Sequence, residues 1–307
     1  MTVMGSEVKV TVLCLAYNHA KYIRDALEGF VSQETGFPFE VIVHDDASTD
    51  GNADIIREYQ SRYPDIIKPI FQKENQYSKG ISIQKEILFP LIKGDYVALC
   101  EGDDYWTDPH KLLKQVQALE SNPGADICSH RALRLKRGRF DGWIAPAFSN
   151  KVIPVEDVIM GGGGWYCATA SFLCRRDAYL KWTPMRDVAV IDYVLAIQCS
   201  LRGGMIYLKD CMSVYRVGTE GSWTKRHDKK ARIKNNLRMV EMLDALDNYT
   251  EGKHRKVIRK RQEMFRSNIL MLTRDYAGLY SLSRLGLNLL RFVNALRRTA
   301  RRWLSFL

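Results

Sequence analysis

Along the first hundred residues, short runs of β-branched and aliphatic side chains alternate with segments whose apolar positions recur every three or four residues. Residues 8–16 (VKVTVLCLA) form a nearly continuous apolar run, the pattern of a strand covered on both faces. Asn18 then offers an N-cap to a helix reaching about residue 33, with Tyr22, Ile23, Ala26, Leu27 and Phe30 on one face. Residues 39–44 (FEVIVH) predict a second buried strand, and residues 52–62 a second helix stopped by Tyr63-Pro64. Residues 66–71 and 95–100 read as a third and a fourth strand. Alternation of this kind predicts an α/β fold whose sheet is mostly parallel and flanked by helices.

In such sheets the ligand lies beyond the carboxyl ends of the strands. Three of the predicted ends carry polar turns: Tyr17-Asn18-His19, the run from Asp45 to Asp50, and Glu101-Gly102-Asp103-Asp104. Beyond them, residues 111–120 predict a helix broken by Asn122-Pro123-Gly124, and another helix is expected near residues 192–200. The stretch 127–209 shows no clear period, and its four glycines, 161–164, match no phosphate-binding pattern.

Charge divides the chain in two. Residues 1–250 hold 32 basic and 32 acidic residues, whereas residues 251–307 hold 14 basic and 3 acidic, so the whole net charge of +11 sits in the tail. This predicts a neutral catalytic domain over 1–250 and a basic, helical tail over 251–307 that meets something anionic. The seven cysteines are scattered in apolar surroundings without CxxC spacing, as expected of reduced core thiols. No apolar run reaches the ~20 residues that span a bilayer, and the start of the chain lacks a leader pattern, which together predict a cytoplasmic protein.

The candidate chemistry is acidic. Three carboxylates within four residues, directly after a buried strand, repel one another unless a cation offsets them, and hard oxygen ligands suit Mg²⁺ or Mn²⁺. A solvated turn in which Asp104 or Asp108 caps the next helix is the alternative. Asp45 follows the second strand and faces the same crevice, where a carboxylate can accept from a base or a ribose hydroxyl; Thr49 or Asp50 is expected to cap the helix that follows. Neither a Walker pattern nor GxGxxG is present, which excludes a P-loop nucleotidase and a dinucleotide-binding dehydrogenase. His19, His44, His110, His130 and His254 stand alone and read as structural.

Taken in order, VTVLCLAYNHAKYIRDALEGFVSQ, FEVIVHDDASTDG and GDYVALCEGDDYWTDPHKL resemble the inverting family-2 glycosyltransferases of the glycosyltransferase A fold, in particular bacterial enzymes of capsule, exopolysaccharide and lipopolysaccharide synthesis. The resemblance covers roughly residues 8–225. It implies that Ala16, Tyr17 and Asn18 contact the nucleotide, and that Asp45 contacts base or ribose. Asp103 matches the last acid of the family's D-x-D motif, the ligand to a divalent cation on the donor diphosphate. Glu101 stands at the first position of that motif, with a longer arm than the usual Asp, and Asp104 reaches the donor sugar. VAVIDYVLAIQCSLRGGMIYL resembles the helix of the catalytic base, where Ile191-Asp192 replaces the usual Glu-Asp pair and Asp192 is the match. SVYRVGTEGSWTKRH resembles the segment that closes over the diphosphate, with Arg216 and His227 as contacts to pyrophosphate or metal and Trp223 on the acceptor side.

The implied reaction is inverting transfer from a nucleotide-sugar, UDP-linked by the resemblance, to a hydroxyl of a glycan or lipid-linked glycan. A nucleotidyltransferase and a non-catalytic sugar-nucleotide or polysaccharide-binding scaffold are the competing readings. In the tail, Leu282, Leu285, Leu289, Val293, Leu296, Trp303 and Leu304 recur at helical spacing, with Arg284, Arg291, Arg298, Arg301 and Arg302 largely opposite. This is the pattern of an amphipathic helix on the anionic cytoplasmic face of a bacterial inner membrane, or of one packed on protein. No nucleic-acid-binding motif accompanies it.

Overall fold

A computed structural model describes residues 7–147, 149–161, 166–187, 191–219 and 229–273. The chain divides into two compact units, 1–227 and 228–307.

The first unit opens as the sequence predicts. Strand β1 (Val10–Ala16), helix α1 (Ile23–Val31), β2 (Phe39–Asp45), α2 (Asn52–Arg62), β3 (Ile67–Phe71), β4 (Tyr96–Leu99), β5 (Tyr105–Trp106) and α3 (Lys111–Glu120) follow in order. The unperiodic middle resolves into β6 (Ile127–Lys136), β7 (Arg139–Ile144), β8 (Lys151–Ile153), α4 (Val155–Gly161), β9 (Leu173–Arg175), α5 (Arg176–Leu180), α6 (Ile191–Ser200) and β10 (Met205–Val217). β1 is flanked by parallel β2 and β4, and β3 adds parallel to β2. These strands are covered on both faces, which is why their apolar runs are nearly continuous: Val10, Val12, Cys14, Val41, Val43 and Ala98 lie in one core with Ile23, Leu27 and Phe30 of α1 and Ile56 of α2.

The sheet order is β3-β2-β1-β4-β9-β6-β10-β5. Its first half is parallel as expected. Its second half is mixed, because β9 runs antiparallel to both β4 and β6 while β10 lies parallel to β6. Register shifts at Leu208, Cys211 and Ser213 bend β10, so that its start pairs with β8 and its later residues with β5. That bend returns Tyr215 and Arg216 to the turn after β4.

One helix start differs from expectation. α1 begins at Ile23 with Tyr22 at the cap position and no side-chain cap, and Asn18 caps nothing. Asn18 sits in left-handed backbone at φ 56°. Its Oδ1 accepts from Thr49 N–H at 2.8 Å, and its own N–H donates to Ser48 Oγ at 2.9 Å. A short polar side chain there gains more by bonding the neighbouring strand-end turn than by capping its own helix.

All seven cysteines are free, six of them buried. In the second unit, α7 (Lys229–Tyr249) and α8 (Arg255–Thr273) pack as a hairpin, with Gln262 Nε2 donating to Val240 O at 3.1 Å and to Asp244 Oδ1 at 2.6 Å. The expected basic tail begins inside this unit, and the amphipathic segment from residue 282 lies outside the described residues.

Candidate active site

The polar turns lie together at the carboxyl ends of the neighbouring parallel strands β1, β2 and β4, where the sequence places them. Ala16 ends β1 in register with Asp45 at the end of β2. Asp45 is buried, and both of its oxygens are engaged locally: Oδ2 accepts from Ser48 N–H at 3.1 Å and Oδ1 from the Asn52 amide at 2.6 Å. Neither Thr49 nor Asp50 is the cap expected of α2: Gly51 holds that position in left-handed backbone with no side-chain cap, and Asp50, one residue earlier, accepts from Asn52 N–H at 3.1 Å. Its other oxygen takes Ala20 N–H at 2.8 Å, which ties the first two strand-end turns together. Asp46, which the sequence does not single out, binds Gln76 N–H at 2.7 Å and Tyr77 N–H at 3.1 Å and so anchors the segment after β3.

The third turn is held more tightly. Gly102 N–H donates to Leu15 O at 2.8 Å, and a Cβ on Gly102 would stand 2.8 Å from Ile23 Cδ1, 3.0 Å from His19 Nδ1 and 3.1 Å from Ala16 Cβ. Glycine is therefore required here by close approach beneath the start of α1. Asp103 and Asp104 are buried on either side of a brace formed by the end of β10. Arg216 N–H donates to Asp104 Oδ1 at 2.8 Å, and its Nη1 donates to Asp103 O at 2.9 Å. Its Nη2 bonds Asp25 of α1, and the guanidinium lies 4.4 Å from the Tyr105 ring centroid and 5.3 Å from that of Tyr22. Just beyond β10, Thr219 Oγ1 donates to Asp103 Oδ2 at 2.7 Å. Arg216, which the resemblance assigns to the diphosphate or metal, thus has these donors committed to holding the turn's shape. Thr219 and Tyr215 carry no local sequence signal; a long, bent strand alone brings them there.

Asp192 opens α6, where its Oδ1 accepts from Tyr193 N–H at 2.6 Å. Burial raises its carboxyl above the ordinary range, opposed by that N–H and by its own. Dense surroundings, then the charges of Asp103 and Asp192, raise the Glu101 carboxyl, although the residue keeps an exposed side. Burial and then Asp103 hold the Asp104 carboxyl well up, with the Arg216 N–H opposing them. The hydroxyl of Tyr215 is raised by burial and then by Asp104, Glu101, Asp103 and Asp192 in that order. Four carboxylates separated by up to 91 residues of sequence therefore come near enough to one tyrosine for their charge to act on it. Asp192 is near enough to the acidic turn for its charge to act on Glu101. His227 and Trp223 lie outside the described residues.

Among the described residues, no three His, Cys, Asp or Glu side chains form a metal cage by themselves. The donor set is nevertheless all oxygen and carries excess negative charge, and Asp103 Oδ1 has no protein partner among the described residues. That fits a hard cation of the Mg²⁺ or Mn²⁺ kind, which takes one or two carboxylates and completes its shell with waters and substrate phosphates.

The family model for glycosyl transferase family 2 matches residues 11–182. An uncharacterised protein of Mycobacterium tuberculosis is 36% identical over 215 residues, covering 70% of this chain and 60% of that protein, so the chain matches about three fifths of that relative's length. The Escherichia coli UDP-Glc:alpha-D-GlcNAc-diphosphoundecaprenol beta-1,3-glucosyltransferase is 32% identical over 112 residues, covering 36% of this chain and 41% of that one. Among solved structures, a mannosyltransferase from Pyrobaculum calidifontis in complex with GDP-Man and Mn²⁺ aligns with a TM-score of 0.56 at 18% identity, over 98% of this chain and 84% of that one. The likeness places the fold in the glycosyltransferase A type. Since the matched span runs from β1 through the acidic turn and on past α5, this chain belongs to glycosyl transferase family 2.

Proposed function

We propose that the protein is a metal-dependent, inverting glycosyltransferase that moves a sugar from a UDP-linked donor to a hydroxyl of a glycan or lipid-linked glycan in bacterial cell-surface polysaccharide synthesis. The observation that carries this reading is the acidic turn after β4, where Arg216 and Thr219 fix Asp103 and Asp104 and leave Asp103 Oδ1 open among the described residues, with Asp192 near enough for its charge to act on Glu101. The glucosyltransferase relative, whose name carries a UDP-sugar and a diphosphoundecaprenol, supports the donor and acceptor classes. The mannosyltransferase structure supports the cation.

In this reading Ala16, Tyr17, Asn18 and Asp45 line the nucleotide. Asp103, Glu101 and His227 would hold Mn²⁺ or Mg²⁺, Asp103 being left with one oxygen that Thr219 does not take. When bound, the cation offsets the charge that builds on the departing diphosphate. Asp104 and Arg216 orient the turn toward the donor, which concentrates the gain in positioning and preorganised charge. Asp192 takes the proton from the acceptor hydroxyl as its oxygen attacks the sugar C1, and the burial that raises its carboxyl makes it a better proton acceptor. No helix among the described residues is long and apolar enough to cross a membrane. We assign the basic stretch over 251–307 to the anionic cytoplasmic face of the inner membrane, where a lipid-linked acceptor would lie.

The test pairs two variants. Asp103→Ala should remove Mn²⁺-dependent binding of a UDP-sugar, read as a lost thermal shift. Asp192→Asn should keep that shift and lose transfer by about 10²–10⁴-fold, the usual contribution of a general base. Wild-type transfer rates in either variant would sink the assignment.

A further inference from the structure

The β6–β7 hairpin carries a surface that the reaction does not use. Its two-residue turn, Arg137-Gly138, has both residues in left-handed backbone, at φ 51° and 74°, between the paired Lys136 and Arg139. This is the turn geometry that suits the twist of a tight hairpin. The register then slips: Leu135 pairs with Phe140 but Arg134 with Gly142, which leaves Asp141 as a bulged extra residue. Without the slip, Phe140 and Trp143 would alternate to opposite faces. With it, they stand opposite Leu135 and Leu133 on one face, their ring centroids 5.4 Å apart and edge to face.

That face points outward. Phe140 is 59% exposed and Trp143 51%. The other face of the same strands is core, where Ala132 and Ile144 pack with Ala168 and Tyr215, the tyrosine on which the charge of the active-site carboxylates acts. The segment 131–144 holds five basic residues and one acid, Asp141, which pairs with Arg134 at 2.6 Å. Lys136, Arg137, Arg139, Phe140 and Asp141 line a shallow hollow at the tip. Lys136 and Arg139 pair on the opposite face and meet the aromatics only at the tip, while Arg131 lies over Trp143; two adjoining exposed aromatics beside such a cationic tip are more than scattered surface apolar residues and mark a contact site.

We propose that this hairpin docks on an anionic lipid bilayer, with Phe140 and Trp143 entering the headgroup–acyl boundary and Lys136, Arg137 and Arg139 meeting anionic headgroups. The charge and the apolar edge match the two components of interfacial binding. A flat sugar-stacking platform fits the geometry less well, because the two rings stand at 66° to one another and the Arg131 guanidinium lies 5.8 Å from the Trp143 centroid, over its ring. The docking is independent of which carboxylate performs which step, and it belongs to the 1–227 unit and not to the basic tail.

The experiment uses the full chain and co-sedimentation with phosphatidylcholine vesicles, alone or with about 30% phosphatidylglycerol. Phe140→Ser/Trp143→Ser and Arg137→Glu/Arg139→Glu should each lower partitioning onto the anionic vesicles by about tenfold or more, with far-UV circular dichroism unchanged. Should either pair misfold, Trp143→Phe keeps the apolar surface and supplies a local readout: brominated acyl chains should quench wild-type tryptophan emission more than that of the variant. Unchanged partitioning in folded variants, or equal quenching of wild type and Trp143→Phe, overturns the inference. So does a shift from dimer to monomer in the serine pair with lipid binding retained, which would make the face a self-interface. Equal binding to phosphatidylcholine alone would refute the part played by charge.

Discussion

The most direct physical test of the site concerns Gly102, which carries no chemistry. Alanine there needs no unusual backbone angle, so its effect is one of space. The new methyl carbon would stand 2.8 Å from Ile23 Cδ1, 3.0 Å from His19 Nδ1 and 3.1 Å from Ala16 Cβ, all closer than the ~3.5–4 Å of optimal contact. The turn cannot simply back away, because Gly102 N–H is bonded to Leu15 O and its neighbours Asp103 and Asp104 are pinned by Arg216 and Thr219. Overpacking of this size costs about 1–3 kcal/mol, which in a domain of this length lowers the unfolding midpoint by roughly 3–9 °C. The shortest contact is to the terminal carbon of an isoleucine, so Ile23→Val removes it. Alone, Ile23→Val should cost about 0.5–1.5 kcal/mol as a cavity in a fully buried position. Combined with Gly102→Ala, its methyl deletion accommodates the added methyl, and the double variant should be more stable than the two single losses predict, by about 1 kcal/mol. Urea unfolding of the four proteins closes the cycle. Additive losses, or a Gly102→Ala protein as stable as wild type, would refute the claim that close packing beneath α1 sets the position of the acidic turn.

Two further outcomes follow from the same structure. Lys111 is fully buried, bonds Gln115 Oε1 at 2.7 Å and lies 4.0 Å from the Trp106 ring centroid; burial lowers its ammonium from the ordinary 10.5 to about 7. The unfolded chain therefore binds the extra proton between those values, so wild-type stability should rise with pH across that window relative to Lys111→Met, by up to about 1.4 kcal/mol per pH unit, and the difference should be flat below pH 7. Thermal unfolding of both proteins at pH 6, 7 and 9 measures it; a constant difference would show that the ammonium is not buried. Asn18→Ala should cost about 1–2 kcal/mol through left-handed strain and the lost bond to Thr49, while Asn18→Gly should recover about 1 kcal/mol of it. Equal urea midpoints for the two variants would remove the backbone argument.

Much of the first half of the molecule was legible in the chain. β1, β2, α2, β3, β4 and α3 fall within a residue or two of their expected bounds, because buried parallel strands and one-faced helices impose a local pattern of apolar spacing. The acidic turn was legible for the same reason: it follows a strand whose end could be read. The true role of Asn18 leaves no local signal, because its partner, Thr49, is distant in sequence and joins it only when β1 and β2 pair. The mixed half of the sheet was not legible. β7 and β10 carry bulges, and β9 is only three residues long, so no period of two survives in them to be seen.

The kinds of group available, three carboxylates at a strand end and an acid on a later helix, are set by residue type and local pattern alone, since chemistry is carried by the side chain and the turn by its neighbours. It took the folded chain to bring Asp192 near enough for its charge to act on Glu101, to let Thr219 and Arg216 hold the turn, and to turn Phe140 and Trp143 to the same side through one bulge at Asp141. Those are long-range pairings, whose registers are set by the packing of whole strands and not by any pattern within one of them.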